Sequence, residues 1–291
     1  MPSDSARPSA QPGTPSAAPA GTPADTFTHR FIPAFGKRVH RLGFASGFGI
    51  DENGVRAAFA AGINYVFCPA GAKPVLTDPL KEALRLHRDH FVVATGTTLG
   101  FLGGSVRREA ARMQRRLGTD YLDLFKLHWL GRTSAWTDST VAALIELKQS
   151  GQTRAIGVSI HDRPRAGRLA EDSPLDALMI RYNASHPGAE RDIFPHCQKR
   201  RPVIIAYTAT DWRKLLSAPA GWTGPVPTAG DCYRFCLSSP HVDLVLCGSA
   251  SERELTENLR ALEKGPLTAE EMGWMRDFGK VIYGKGLINQ K

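Results

Sequence analysis

Few side chains in this sequence combine a reactive group with a position that could expose it to a ligand, and His128 leads them. It closes the stretch LGTDYLDLFKLHW (Leu117 to Trp129), in which a helix ends at Leu117-Gly118, a turn follows at Thr119-Asp120, and an apolar run leads to one imidazole. An apolar strand that delivers a single polar side chain at its carboxyl end is how parallel α/β barrels place chemistry. Imidazole titrates near neutrality and can hold or release a proton, so acid–base work is the chemistry to ask about there. A second group of polar residues is denser: RYNASHPGAE (Arg181 to Glu190), TATDW (Thr208 to Trp212) and DCYRF (Asp231 to Phe235) bring Arg181, His186, Glu190, Asp211 and Arg234. An Arg and His pair such as Arg181 and His186 could grip an anionic substrate; the alternative is a set of salt bridges tying loops to a scaffold.

These residues need elements to carry them, and the hydrophobic pattern supplies an alternation. Strand-like runs occur at Val39–Ala45, Ile63–Cys68, Phe91–Thr95, Tyr121–His128, Arg154–Ile160, Ala177–Tyr182, Val203–Thr208 and Val242–Cys247. Helical spacing occupies 51–61, 78–88, 105–117, 139–150, 163–171, 189–200, 229–238 and 251–263. Strands alternating with helices at crossover lengths predict an α/β fold, a parallel (β/α)₈ TIM barrel, with a doubly wound open sheet as the runner-up. Asp51, Ser105, Ser139 and Ser251 are the expected helix N-caps, the last with Glu254 in a capping-box arrangement, and Gly118 and Gly151 the expected left-handed stops. GFASGFG after the first strand does not match the dinucleotide fingerprint, which disfavours a Rossmann domain. In a barrel, the strand ends place Cys68, Gly96, His128, Trp129, Ser159, His161, Tyr182, Asn183, Tyr207 and Gly248 around one pocket.

Composition narrows the class. With 291 residues, 42% hydrophobic and 22% charged, the chain can bury a large core. Residues 1–26 are Pro, Ala, Ser, Thr and Gly with almost no large apolar side chain, which predicts a disordered tail before a single barrel over 27–291 that ends in a C-terminal helix. The net charge of +9 comes largely from Arg-rich helix faces without interleaved aromatic residues, so no nucleic-acid partner is expected. No apolar run approaches 18 residues, so no membrane span is expected either. Five unevenly spaced cysteines, with Cys232 and Cys236 read as core contacts, suggest neither disulfides nor a metal site and fit a cytoplasmic location.

Taken in order, LGTDYLDLFKLHW, GQTRAIGVS, YN and VLCGSASERELTENL resemble the aldo-keto reductase family, over about Arg38 to Leu267. The resemblance implies a TIM barrel that binds NADP or NAD across its carboxyl-terminal face and reduces a small carbonyl substrate. It also implies four catalytic residues, of which only the histidine is matched, as His128. Phe67 stands at the aspartate position, Ala72 at the tyrosine position, and Gly96 where the lysine is expected. Lys73, Tyr182, Cys68 and His128 itself are the candidate substitutes. Toward the cofactor, the resemblance assigns Ser159 and Tyr207 to the nicotinamide, Gly248 and Ser249 to a phosphate, and Glu257 and Asn258 to the adenine. Ile160 replaces the family's Asn, and Met179 its Gln. Arg253 stands next to Glu254, which occupies the 2′-phosphate arginine position, leaving NADP against NAD open. Trp129, Arg181 and His186 are the expected substrate contacts. Three readings follow: an oxidoreductase with atypical catalysis, a catalytically inactive cofactor-binding or regulatory barrel, and a non-redox lyase or isomerase using Arg181, His186 and Asp211.

Overall fold

The computed structural model of the chain describes residues 24–97 and 99–288. Eight parallel strands close into a barrel: β3 (Leu42–Ala45), β4 (Tyr65–Phe67), β5 (Val92–Thr97), β6 (Leu122–Leu127), β7 (Thr153–Ile160), β8 (Ala177–Arg181), β9 (Val203–Tyr207) and β10 (Leu244–Cys247), with β10 pairing back onto β3. Helices α1 (Glu52–Ala60), α2 (Pro74–His87), α3 (Gly103–Leu117), α4 (Asp138–Gln149), α5 (Arg163–Glu171), the short α6 (Ala189–Asp192), α7 (Ala229–Ser238) and α8 (Glu252–Glu263) lie in the crossovers, and α9 (Ala269–Ile288) follows. The (β/α)₈ expectation holds. No helix among the described residues is long and apolar enough to cross a membrane.

The first predicted strand is two. A hairpin of β1 (His29–Ile32) and β2 (Lys37–His40) precedes the barrel, and Arg41 separates it from β3. Arg41 is buried and donates to the carbonyls of Phe27, Leu237, Val242 and Asp243, which turns the chain inward. Ile32, Phe35 and Val39 of the hairpin pack with Tyr65, Val92, Ala94 and Leu124, so the hairpin plugs the amino-terminal end of the lumen. Asp25, in the stretch read as tail, accepts from the Phe31 amide at 2.8 Å and helps hold that plug, whereas residues 1–23 lie outside the described residues.

Helix ends follow local chemistry with two exceptions. Asp51 and Ser251 cap α1 and α8 as expected, and Gly118 and Gly151 adopt φ of 64° and 75°. Leu102 rather than Ser105 begins α3, and Thr137 rather than Ser139 caps α4. Ser139 is instead spent between helices, its hydroxyl accepting from the Gly103 amide at 2.9 Å. The α2 helix starts at Pro74, earlier than expected, because proline in the first turn forgoes no intrahelical bond. The helix expected over 189–200 breaks into α6 and a 3₁₀ turn at Phe194–Cys197.

Candidate active site

Strand alternation decides what faces the lumen. On β6 the inward column is Leu124, Lys126 and then His128, on β8 it is Ala177, Met179 and Arg181, and on β9 it is Val203, Ile205 and Tyr207. His128 is 8% exposed, its ring set edge-on to Phe67 at 5.3 Å. Its backbone is clamped: the amide donates to Thr97, and the carbonyl accepts from Thr133 and Ser134 hydroxyls at 2.9 and 2.6 Å. Its Nε2 is buried without a hydrogen-bond partner. Burial, and then the charge of Lys126, push the imidazole down to about 3, so His128 is neutral at physiological pH.

This burial carries a sign for pH. The folded value lies below the unfolded 6.5, so the stability it represents is complete above pH 6.5 and is lost as pH falls toward 3. At pH 5 the loss from this residue is about 2 kcal/mol. His128→Gln should therefore lose less stability between pH 7 and pH 5 than the parent, as measured by urea unfolding at both; equal losses would contradict a neutral buried imidazole.

Lys126 was not singled out from sequence, although its place two residues before His128 puts it on the same strand face. It is fully buried, with Nζ 3.1 Å from the Met179 sulfur and 4.4 Å from the centre of the Phe67 ring. No carboxylate among the described residues faces it, and burial alone lowers its ammonium to about 7.

Above this floor stands a polar rim. Trp129, at φ 46°, directs its indole N–H to His161 Nε2 at 2.8 Å, and the Tyr207 hydroxyl lies 2.7 Å from the same nitrogen. Indole can only donate, so His161 Nε2 accepts and its proton sits on Nδ1. Burial pushes the Tyr207 hydroxyl up to about 12. Ser159 is buried at the carboxyl end of β7. Arg181, paired in register with Tyr207, has no ion-pair partner among the described residues; burial first, and then its charge, disfavour protonation of both His161 and His186.

A cavity of about 850 Å³ opens from Phe67, Met179 and Leu246, passes Tyr207 and the loop 208–213, and ends along α8 at Glu254, Asn258, Arg260 and Lys264. The loop is backbone-strained, with positive φ at Thr208, Asp211, Trp212 and Arg213. Side chains hold it there: Asn183 donates to the Thr208 carbonyl at 2.7 Å, Ser185 to Asp211 at 3.0 Å, and His186 Nδ1 lies 3.7 Å from Asp211. His186 thus sits with the loop restraints, packed against Tyr283, while Arg181 ends β8 beside Tyr207.

The remaining expected residues divide. Gly248 lines the cavity, and any Cβ there would strike the Phe48 ring. Asn258 and Glu257 line it too, but Ser249 is buried against Asn258 and Cys247. The side chain of Arg253 is 84% exposed and faces Glu257; the cations lining the cleft are Arg213, Arg260 and Lys264. Glu254 turns back onto the start of α8 and accepts from the Ala250 amide at 2.9 Å, filling the anion site of that helix with its own carboxylate.

Tyr182 faces out of the lumen, one step along β8 from Arg181, with its hydroxyl donating to Glu190 and its ring against Phe194 and Phe235. Lys73 is an exposed residue at the N-cap of α2, outside the cavity lining. The structure therefore does not bring either to the cavity, and of the strand-end residues expected around it only Tyr207 and Gly248 are in its lining, His128 lying buried behind Phe67. Cys68 is a buried thiol pushed up to about 12. Arg234 grips Glu271, and Glu190 grips Arg276, so both serve the scaffold. Cys232 and Cys236 are buried in the core cluster.

With this geometry in view, the comparisons with known proteins converge. The aldo/keto reductase family model matches residues 53–212. The chain belongs to the aldo/keto reductase family. It is 29% identical over 187 residues to methylglyoxal reductase YeaE of Escherichia coli (strain K12), covering 61% of this chain and 64% of that protein. It is 32% identical over 106 residues to the NADH-specific methylglyoxal reductase of the same organism, covering 36% of this chain and 32% of that one. The chain thus spans less than two thirds of the length of these curated relatives. Among solved structures, the holo form of aldo-keto reductase AKR11C1 from Bacillus halodurans superposes with a TM-score of 0.73 at 23% identity, covering 86% of this chain and 96% of that one. An aldo/keto reductase from Klebsiella pneumoniae, in complex with NADP and acetate, gives 0.68 at 23% identity, with 84% and 92% covered. At that identity these likenesses speak to the fold.

Proposed function

We propose that this chain is a nicotinamide-dependent oxidoreductase acting on small carbonyl compounds, with a catalytic apparatus that departs from the family's. The observation that carries the proposal is the continuous cleft from the barrel floor past Tyr207 to α8. Its residues suit a dinucleotide: the Tyr207 ring at the mouth, Asn258 on α8, and three cations at Arg213, Arg260 and Lys264, with Ser159 bonded to Tyr207 from outside the lining. Glu254 and Glu257 oppose a 2′-phosphate while those cations favour it, so both NADP and NAD belong to the proposal. The reductase names of its relatives and the NADP of a structural neighbour are consistent with this reading.

A bound nicotinamide would supply the hydride. The chain's own part is to bind, orient and exclude water. His128, neutral and with Nε2 unpartnered, can exchange one hydrogen bond with a carbonyl oxygen entering the floor. Arg181, without an acid partner among the described residues, can hold a substrate anion beside Tyr207, whose hydroxyl and the Trp129 indole meet at His161. Five buried free cysteines fit a reducing compartment such as the cytoplasm.

A second reading, a catalytically silent cofactor-binding barrel, is favoured by Phe67, Ala72 and Gly96 at the family's aspartate, tyrosine and lysine positions. None of these can hold a proton, and a positioned acid typically contributes ~10²- to 10⁴-fold. Titration with NADPH and with NADH, followed by tryptophan fluorescence, tests the cofactor shared by both readings. Quenching is expected with at least one, weakened about tenfold or more by Tyr207→Ala, since a stacking ring contributes on the order of 1–3 kcal/mol. Absence of quenching with either nucleotide overturns both. Turnover of aldehydes and ketones that is lost in His128→Ala then selects the enzyme.

A further inference from the structure

Lys126 is unexplained by the family's chemistry. It is not on the strand where the family places its lysine but on the next one, in register with Gly96, which holds that position here. Room for its stem comes from Gly157, where a Cβ would lie 3.3 Å from Lys126 Cγ. Nζ ends between the Phe67 ring and the Met179 sulfur, two residues that also form the cavity floor, so one flexible thioether and one ring separate the amine from any molecule in the cavity. The neighbours on facing strands, Phe67, Gly157 and Met179, carry no charge, and the next inward residue on its own strand is His128, with a free Nε2.

We propose that Lys126 is a carbonyl-reactive amine: its Nζ condenses with a small aldehyde or ketone that reaches the barrel floor, and His128 moves the protons. The Nζ lone pair forms a C–N bond as the carbonyl π bond opens, giving a carbinolamine. The nitrogen lone pair then forms the C=N π bond of an imine as the C–O bond breaks, its electron pair leaving with the oxygen, and the two protons lost from nitrogen leave on that oxygen as water. His128 Nε2 takes each proton from nitrogen and returns it to oxygen. A lysine desolvated among apolar groups with no counter-ion has the free amine this step requires near neutral pH. Burial alone, with no carboxylate to restore the charge, brings Lys126 to about 7. The condensation needs no oxidant, reductant or cofactor. It shares with the proposed function only that small carbonyls enter the cavity.

The test uses the full chain without nucleotide, incubated at pH 7 with acetaldehyde and cyanoborohydride, which reduces an imine to a stable secondary amine, followed by peptide mass mapping. Exposed Lys73 serves as the internal reference. We expect Lys126 to be ethylated at least tenfold faster than Lys73, faster again in Met179→Ala, where the floor is opened, and slower in His128→Gln. Circular dichroism confirms that each variant is folded. Labelling of Lys126 no faster than Lys73 in both the parent and Met179→Ala overturns the proposal. Because no nucleotide is present, that result is separate from a failure of the fluorescence titration, which overturns the cofactor reading and leaves this one standing.

Discussion

Asp123→Ala is expected to lower the unfolding free energy by about 3–5 kcal/mol, the usual cost of breaking a buried ion pair by removing one partner. Asp123 is completely buried at the amino-terminal end of β6, where Oδ1 receives Lys37 Nζ at 2.8 Å, and Oδ2 receives Arg88 and the Val93 amide, each at 2.9 Å. Tyr121 lies between Arg88 and Arg154, with guanidinium-to-ring distances of 3.6 and 4.5 Å. Lys37 belongs to the hairpin that plugs the lumen, so this one carboxylate ties the plug, α2's end and two barrel strands together. Without it, Lys37 remains buried with its charge uncompensated. For a chain of this size the midpoint of thermal unfolding should drop on the order of 10 °C. The double variant Lys37→Met with Asp123→Leu should recover much of the loss, because exchanging a buried pair for apolar groups is often close to neutral. A single Asp123→Ala variant within about 1 kcal/mol of the parent, measured by urea unfolding, would show that the plug is held some other way.

A comparable loss is expected from Gly96→Ala, and a larger one from Gly96→Lys, the substitution that would restore the family's missing lysine. A Cβ at position 96 would lie 2.8 Å from the carbonyl carbon of Lys126 and closer still to its oxygen. The contact is with backbone of the paired strand, so no rotamer relieves it. β5 and β6 must part at a point where Ala94, Thr95, Gly96 and Thr97 all pair with β6. Overpacking a core typically costs about 1–3 kcal/mol, and a clash with a ladder carbonyl belongs at the upper end or beyond. Gly96→Ala should therefore lose about 3 kcal/mol in urea unfolding, and a chain carrying Phe67→Asp, Ala72→Tyr and Gly96→Lys together should fail to fold rather than regain the family's catalytic set. Native-like stability of Gly96→Lys would refute the packing described here. The absence of a side chain at position 96 is thus built into the barrel wall, and the amine in the lumen comes from the neighbouring strand.

The order of strands and helices and the stretch ending at His128 were legible in the sequence because they rest on local periodicity, on turn residues and on crossover lengths, each confined to a few neighbouring residues. Asp51 and Ser251 as caps and the left-handed glycines at 118 and 151 were legible for the same reason: the bonds involved span three or four residues. Ser139 and Arg41 were misread because their polar atoms are taken by partners far along the chain, Gly103 for the one and Leu237, Val242 and Asp243 for the other, while Ser105 lies inside a first turn that starts at Leu102. Tyr182 was expected in the pocket although the alternation that puts Met179 in the lumen turns Tyr182 out of it; a strand's faces become inside and outside only when the barrel closes. The same closure surrounds Lys126 with Phe67, Gly157 and Met179, drawn from three other strands, and leaves it without a counter-ion. Sequence alone determined the fold class and marked His128 as the imidazole at a strand end, since both rest on patterns within segments. Tertiary structure decided the protonation of that imidazole, the buried amine beneath it and the closed door at Gly96, since burial and register exist only between segments.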